Sequence, residues 1–269
     1  CYAVPESWRK IGVQRKGFHG ASHKYIAERS AELMGRDDVA RRVRNLYHGE
    51  HAPVQSPPLR VVSCHLGGSS SVAGIRDGVA IDTSMGLSPQ SGLPQNNRVG
   101  DLDSMAVTYA MKTLGLSIDE VERQLTKESG LLGLSGVGND IRDIQKAADA
   151  GNADARLALD HLSYMARHYI GAYAFQMGGL DAIVFTAGIG ENGVELREAI
   201  CRDLEEFGVE LDLELNARTR SVEEGIHKKD SRVKVWVIPA NEEWVIARET
   251  YRLIASSPKG DGAGWPKPN

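Results

Sequence analysis

The stretch that decides the fold is "LRVVSCHLGGSSSVAGIRDGVAIDTS", residues 59–84. It holds three short runs rich in β-branched residues, which are broken first at Gly67-Gly68 and then at Asp77-Gly78. An Asp-Gly pair between two alternating runs is a strong hairpin signal. The stretch therefore predicts three antiparallel strands that follow one another as a meander.

Two later segments each combine a strand with a helix. The segment "DAIVFTAGIGENGVELREAI", residues 181–200, indicates an apolar strand, a glycine turn and an amphipathic helix, and residues 232–254 repeat that order. Between the two groups of strands, residues 101–179 are mostly helical by their apolar spacing, with one long helix over residues 152–177. Early strands followed by alternating strands and helices predict a mixed α/β domain.

Three other segments carry weaker signals. Residues 22–34 have apolar positions at helical spacing, and Ser22 is a suitable N-cap. The polar, proline-rich piece from His48 to Pro58 predicts a surface loop. The last fourteen residues, "SSPKGDGAGWPKPN" (256–269), are rich in glycine and proline and predict a disordered tail.

Composition excludes several classes of protein. With 41% hydrophobic and 25% charged residues and a net charge of −4, the chain has no general attraction for nucleic acid or for an anionic membrane. No apolar run approaches the roughly 18 residues of a membrane span. Three widely spaced cysteines without a CxxC motif are typical of a reducing compartment. We therefore predict a cytoplasmic protein without nucleic-acid or membrane partners. The beginning, "CYAVPESWRK", has no Met and indicates the continuation of a longer protein.

Two glycine-rich segments are candidates for phosphate binding. They are "HLGGSSS", residues 65–71, and "AGIGEN", residues 187–192, and each follows a predicted strand. Glycine lets backbone N–H groups approach a phosphate without interference from a Cβ. Either segment alone is more often simple turn geometry, whereas both together in one chain favour a phosphate site.

One polar segment and two single residues remain open to two interpretations each. "NDIRD", residues 139–143, opens a helix, either as a capped surface helix or as part of a ligand site. Arg98 is either a solvated loop arginine or a bidentate clamp for an oxyanion. His19 and His23 make a poor metal pair, because a cap at Ser22 leaves His19 outside the helix and no third ligand is near. His19 either packs against Phe18 or is catalytic.

Seven blocks of this sequence, in order, resemble the acetate kinase family. They are "GFHGASH", "HLGGSSS", "DTSMGLSP", "ESGLLGLSG", "NDIRD", "GGLDAIVFTAGIGEN" and "VIPANEEWVIARET", and the resemblance runs from about residue 4 to residue 255. That family transfers a phosphoryl group between ATP and a short-chain carboxylate. The resemblance implies a ribonuclease-H-like α/β domain of the sugar kinase, Hsp70 and actin superfamily, with a mixed sheet flanked by helices.

The resemblance also implies roles for single residues. His19 and Arg98 would stabilise the transferring phosphoryl group, His23 would be structural, and the catalytic aspartate would lie upstream of Cys1. Phe18 and Pro89 match positions of the acyl pocket, and Glu242 matches a magnesium-linked glutamate. The nucleotide contacts would fall on His65, Leu66, Gly67, Gly68, Ser69, Asp140, Ile141, Arg142, Gly188, Ile189, Gly190, Glu191 and Asn192.

At the level of the molecule, the resemblance implies a C-terminal nucleotide-binding domain over residues 1–240. Residues 241–255 would form a terminal helix that packs on a missing N-terminal domain, and the isolated chain would be an inactive part of a homodimeric enzyme. The implied partners are ATP or ADP, acetate or propionate, and Mg²⁺. Alternatives are propionate or butyrate as acceptor, pyrophosphate as donor, or a nucleotide-binding or dimerisation module without catalysis.

Two motifs depart from the family pattern. The usual "HLGNG" reads "HLGGS", so that Gly68 replaces an asparagine, and the usual "GTRSGD" reads "NNRVGD", so that Asn96 and Asn97 replace Gly and Thr. Both departures lie at predicted phosphate contacts. They leave the phosphoryl donor open.

Overall fold

A computed structural model describes residues 1–46 and 53–256 of the chain. Six strands in this part form one sheet in the order β3-β2-β1-β4-β6-β5. The strands are β1 (Arg60–His65), β2 (Ser71–Arg76), β3 (Val79–Thr83), β4 (Ala182–Thr186), β5 (Glu224–Gly225) and β6 (Lys234–Val237). The antiparallel pairs β1-β2 and β2-β3 confirm the predicted meander. Strand β4 runs parallel to both β1 and β6, so the sheet is mixed.

Helices surround the sheet. They are α1 (Glu6–Lys10), α2 (Gly20–Leu33), α3 (Asp37–Asn45), α4 (Ser104–Leu114), α5 (Ile118–Arg123), α6 (Gly130–Ser135), α7 (Ile141–Asp149), α8 (Ala153–Gln176), α9 (Ala187–Asn192), α10 (Val194–Cys201), α11 (Leu213–Arg218) and α12 (Glu242–Ser256). The predicted long helix is α8, with Asn152 as its N-cap. None of the described helices combines the length and apolar character needed to cross a membrane.

The alternation along the central strands sends side chains into two separate cores. In β4, Ile183 and Phe185 pack with α6, α7, α8 and α10, whereas Ala182 and Val184 pack with α2 and α3. Successive residues of a strand point to opposite faces, so a strand buried on both faces is a continuous apolar run. The structure therefore confirms the predicted α/β class, a mixed sheet flanked by helices.

Two local predictions were wrong. Helix α2 begins at Gly20, and its N-cap is His19 at φ 60°, not Ser22. The Ser22 hydroxyl is not free to cap, because it lies inside the first turn, buried, with its Oγ 2.8 Å from Nδ1 of His65. The segment "AGIGEN" is not an open glycine turn but the short helix α9, which follows β4 directly.

Two other predictions fall largely outside the described residues. The predicted loop from His48 to Pro58 is described only from residue 53 onward. The predicted tail lies outside the described part except for Ser256, the last residue of α12.

Candidate functional site

The two glycine-rich segments meet at the ends of neighbouring parallel strands, β1 and β4. The carbonyl oxygen of Leu66 accepts hydrogen bonds from the backbone N–H groups of Ile189 (2.8 Å) and Gly190 (2.9 Å). In α/β sheets, ligands bind beyond the carboxyl ends of the strands. The sheet thus brings two distant sequence segments to one edge, at the place where such sites occur.

A cavity of about 850 Å³ opens beside this joint. Among the predicted nucleotide-binding residues, those that line it are Gly67, Gly68, Asp140, Ile141, Arg142, Gly188, Ile189 and Asn192. Those that do not line it are His65, Leu66, Ser69, Gly190 and Glu191. Leu66 and Gly190 are buried in the joint. The nucleotide role of all thirteen residues remains a prediction.

The cavity has an apolar wall, and the sequence motifs include only part of it. Leu159 on α8 and Leu196 on α10 complete this wall together with Ile141 and Ile189. The other lining residues outside the predicted set are Asn96, Asn139, Gln145, Arg156, Asp160, Gly193, Glu195, Ala199 and Arg220. Leu159 and Leu196 belong to regular apolar helix patterns, so only the packing of α8 against α10 identifies them as cavity residues.

At one rim of the cavity, the start of α7 is capped as predicted. Asp140 is the N-cap, and its Oδ1 accepts a hydrogen bond from the backbone N–H of Arg142 at 2.9 Å. The guanidinium of Arg142 also donates to the Asp140 carboxylate, 2.6 Å from Nη2 to Oδ2. These bonds with Arg142 lower the pKa of Asp140 to about 2. The carboxylate is therefore charged at neutral pH and paired with an exposed arginine at the cavity mouth.

A buried arginine holds the opposite wall in place. Arg197 on α10 is fully buried and donates to the carbonyl oxygens of Gly190 (2.9 Å) and Glu191 (2.8 Å) in α9. It also donates to the side chain and carbonyl oxygens of Asn216 and to the carbonyl oxygen of Thr219. Buried arginine is tolerated when its donors are satisfied in this way. Arg197 therefore fixes α9 against α11, a role that the sequence did not reveal.

Three histidines cluster beside the cavity. The rings of His19 and His65 stack with 3.9 Å between centroids, and His23 lies at an angle to both. The His23 nitrogens lie 2.9 Å from Oγ of Ser63 and 2.8 Å from Oγ of Ser71. The Ser71 oxygen is also 2.9 Å from Nδ1 of His19.

The cluster is electrically neutral at physiological pH. Burial lowers the pKa of His23 and of His65 to about 3. Burial also lowers the pKa of His19, and the positive charge of Arg98 lowers it further. Within the described residues, no group of three or more His, Cys, Asp or Glu side chains has the arrangement of a metal site. The histidines can therefore act as hydrogen-bond donors or acceptors without carrying charge.

Arg98 lies next to this cluster and is held by two partners. Its Nη1 donates to Oγ of Ser69 (3.1 Å) and to Oε1 of Gln95 (3.2 Å). His19 stacks on His65 and contacts Ser71, so both predicted phosphoryl-stabilising residues contact the segment 65–71. The site combines one fixed cation with neutral histidine donors, which suits an anion that changes its charge distribution during a reaction.

Asn96 lies beside Gly68, and a Cβ at position 68 would be in ordinary van der Waals contact with it. A Cβ on Gly68 would lie 3.5 Å from Nδ2 of Asn96. The Asn96 amide oxygen is buried without a hydrogen-bond partner among the described residues. The two departures from the family motifs are thus neighbours in space.

The predicted acyl pocket and metal residues lie apart from the cavity. Phe18 is 37% exposed and lines a separate cavity of about 240 Å³ under α2, which Pro89 does not line. The Pro89 carbonyl oxygen accepts a hydrogen bond from Nε2 of Gln95, which places Pro89 near the Arg98 loop. Glu242 lies in the first turn of α12, and the N–H of Ala240 just before it donates to Oε1 of Glu191 at 2.9 Å. The roles of Phe18, Pro89 and Glu242 remain predictions.

Comparisons with known proteins agree with this geometry. Residues 1–248 match the sequence pattern of the acetokinase family. The acetate kinase of Halothermothrix orenii is 46% identical over 256 residues, which are 95% of this chain and 60% of that protein. The acetate kinase of Caldanaerobacter subterraneus is 46% identical over 255 residues, with 94% and 59% covered.

Solved structures give the same result at the level of the fold. The Porphyromonas gingivalis acetate kinase superposes with a TM-score of 0.84 at 37% identity, over 94% of this chain and 59% of that one. A propionate kinase from Francisella tularensis gives a TM-score of 0.79 at 34% identity, with 92% and 58% covered. This chain spans about 60% of the length of the curated relatives it matches. The chain belongs to the acetokinase family.

Proposed function

We propose that this chain carries the nucleotide-binding half of an acetate kinase and two residues that stabilise the phosphoryl group in ATP + acetate = ADP + acetyl phosphate. The observation that carries the proposal is the cavity lined by the two glycine-rich segments and the start of α7, with Arg98 and His19 beside it. The names of the curated relatives support the reaction. Because the chain spans only part of their length, we propose that turnover also requires the unmatched part.

In this reaction the γ-phosphorus leaves the bridging oxygen of ADP and bonds to a carboxylate oxygen of acetate. Negative charge spreads over the three equatorial oxygens, and catalysis consists mainly of positioning and electrostatic stabilisation. Arg98, held by Ser69 and Gln95, would supply the positive charge. His19 would supply a neutral N–H donor, since burial and Arg98 lower its pKa.

The shape of the cavity favours a nucleotide over pyrophosphate as donor. Its apolar wall of Ile141, Leu159, Ile189 and Leu196 offers a surface for a purine ring. Pyrophosphate has no ring that would use this surface. For the acceptor we propose acetate, with propionate or butyrate as alternatives, because a pocket discriminates one methylene by only about 1–3 kcal/mol.

A magnesium ion would neutralise the phosphate charge, and the residues present fit that metal. Mg²⁺ takes oxygen ligands and is usually held by one or two carboxylates together with substrate phosphates. Glu242 offers one partly exposed carboxylate beside the contact between Ala240 and Glu191. Since the described residues provide no complete metal cage, we propose that the ion enters with the nucleotide.

We also propose a cytoplasmic homodimer. Helix α4 has no buried residue, and Met105, Tyr109 and the nearby Ile118 are each at least 65% exposed. Exposed apolar patches of this kind mark interaction surfaces. Sedimentation velocity should show a dimer that Tyr109→Glu weakens, and a chain that is monomeric at every concentration would contradict this part of the proposal.

The reaction is tested by measuring acetyl phosphate as its hydroxamate. The assay compares the 269-residue chain alone with a chimera in which the unmatched part of the Halothermothrix orenii enzyme is joined to it. We expect product from the chimera only. A folded chimera that binds nucleotide yet forms no acetyl phosphate would contradict the proposed reaction and favour a binding module.

A further inference from the structure

Three side chains, Ser63, His23 and Ser71, form a continuous series of hydrogen-bonded contacts that ends at His19. From the core outward, Oγ of Ser63 lies 2.9 Å from Nδ1 of His23, and Nε2 of His23 lies 2.8 Å from Oγ of Ser71. The Ser71 oxygen lies 2.9 Å from Nδ1 of His19. Both serines are fully buried and His23 is 6% exposed. Among the described residues, these three side chains have no other hydrogen-bond partner.

The direction of these hydrogen bonds follows from the inner end of the series. A hydroxyl carries one proton, and buried donors in native proteins are almost always paired. The acceptor within reach of the Ser63 hydroxyl is Nδ1 of His23, so Ser63 donates to it. A neutral His23 then carries its proton on Nε2 and donates it to Ser71. Ser71 has its own proton left for Nδ1 of His19.

The reverse direction fails at the core. If His19 donated from Nδ1 to Ser71, then Ser71 would donate to His23, and His23 would donate to Ser63. The Ser63 proton would then be buried without an acceptor among the described residues, which is strongly disfavoured. Protonation of both His23 nitrogens offers no escape at neutral pH, because burial lowers the pKa of His23 to about 3.

We propose that Ser63, His23 and Ser71 are positioning residues that hold neutral His19 in the tautomer with its proton on Nε2. His19 then presents an N–H donor on its outer nitrogen, where the other tautomer would present a lone pair. Under the proposed function, on which this consequence rests, the outer donor meets an anionic phosphoryl oxygen, and a lone pair would repel that oxygen. His23 thus has a task that helix packing alone does not require.

The same reasoning provides an internal control. The Ser22 hydroxyl lies 2.8 Å from Nδ1 of His65 and has no other side-chain partner among the described residues. It belongs to the same cluster, is equally buried, and its hydroxyl bonds His65 and not His19. Loss of the Ser22 hydroxyl should therefore change the hydrogen bonding of His65 and leave the His19 tautomer unchanged.

The test is long-range ¹H–¹⁵N correlation NMR of the 269-residue chain labelled with ¹⁵N-histidine, which distinguishes the two tautomers of each ring. We expect wild-type His19 to show only the Nε2–H form. In Ser71→Ala, the His19 Nδ1 signal should move to that of an unbonded nitrogen and the Nδ1–H form should become populated. Ser22→Ala should change the His65 nitrogen signals and leave His19 in the Nε2–H form, although the stacked His19 ring can show small shifts.

A wild-type His19 protonated on Nδ1 would overturn the proposal, as would unchanged His19 signals in a folded Ser71→Ala variant. If Ser71→Ala does not fold, Ser71→Cys provides a weaker donor of similar size with the same readout, and the wild-type spectrum remains decisive. No ligand or turnover enters this measurement. A failed kinase assay therefore leaves it standing, and a failed tautomer test leaves the proposed reaction open to its own assay.

Discussion

Arg98 is the residue whose chemistry is easiest to isolate, because Ser69 and Gln95 hold it from the protein side. We expect Arg98→Ala to lower acetyl phosphate formation in the active chimera by roughly a hundredfold, since the transferring phosphoryl group would lose its fixed cation. Arg98→Lys should not restore the rate, because an ammonium lacks the planar fork of guanidinium. The measurement is steady-state kinetics with circular dichroism as a folding control. Near-normal turnover in a folded Arg98→Ala variant would remove Arg98 from the site.

The buried histidines predict how stability depends on pH. His23 has a pKa of about 3 in the folded chain and about 6.5 when unfolded, so the unfolded state binds more protons below pH 6.5. The free energy of unfolding should therefore fall as the pH drops below 6.5, by about 1.4 kcal/mol for this histidine at pH 5.5. Burial acts on His65 in the same direction.

Urea unfolding at pH 7.5 and at pH 5.5 measures this difference. A folded His23→Gln variant should lose less stability between the two pH values than the wild type does, by about the contribution of one histidine. An equal loss in both proteins would mean that His23 is not held neutral in the folded state.

Some residues of the candidate site could be predicted from the sequence, and others could not. The resemblance placed His19 and Arg98 in one site, and in the structure both contact the segment 65–71. The burial of Arg197 could not be predicted, because a charged residue in the amphipathic stretch "VELREAI" is usually exposed. Only the tertiary structure shows the carbonyl oxygens that surround Arg197. Asn96 was identified as a departure from the family motif, but its proximity to Gly68 could not be predicted, since the two residues are distant in sequence.

At the scale of elements, α12 packs on α2 through buried charges. The Glu28 carboxylate, 6% exposed as a side chain, lies 2.6 Å from Nε of Arg44 on α3 and 2.8 Å from Nη1 of Arg248 on α12. Lys24 and Glu249 form a second pair between α2 and α12 at 2.9 Å. Val245 is buried in the same contact, while Trp244 and Tyr251 stay exposed. The ion cluster therefore joins three helices.

We expect Glu28→Ala to lower the free energy of unfolding by about 3 kcal/mol, because it leaves the guanidinium of Arg248, 12% exposed, with only its longer contact to Glu249, at 3.3 Å, as an ion pair among the described residues. The matched control is Glu6→Ala, which breaks an exposed pair with Lys10 and should cost less than about 0.5 kcal/mol. Urea denaturation of both variants gives the comparison. Equal losses of stability would contradict the role of Glu28 as the centre of this contact.

Elements with strong local signals were predicted well. The Asp77-Gly78 turn, the long helix α8 and the helix that opens at residues 139–143 follow from residues adjacent in sequence. The predicted start of α2 and the predicted glycine turn at α9 were wrong, because hydrogen bonds from distant parts of the chain determine both features. His65 engages the Ser22 hydroxyl, and the Leu66 carbonyl engages the first amides of α9. No local pattern contains those partners.

At the scale of the whole molecule, strand order creates the site. Strand β4 inserts between β1 and β6, so residues more than a hundred positions apart meet at one edge of the sheet. The sequence predicted the meander of β1, β2 and β3, whereas the placement of β4 beside β1 and β6 depends on pairings that local propensity does not encode. The apolar wall of the cavity, on which the proposed preference for a nucleotide rests, follows from that order.

We propose that this chain holds a nucleotide in the cavity between α7, α9 and α10. Calorimetric titration of the 269-residue chain with ADP and Mg²⁺, and separately with pyrophosphate and Mg²⁺, tests it most directly. We expect a dissociation constant of about 0.1–1 mM for ADP and clearly weaker binding of pyrophosphate. The Ile189→Asp variant should lose the preference for ADP. A chain that binds no ADP, or that binds pyrophosphate more tightly than ADP, would contradict the proposal.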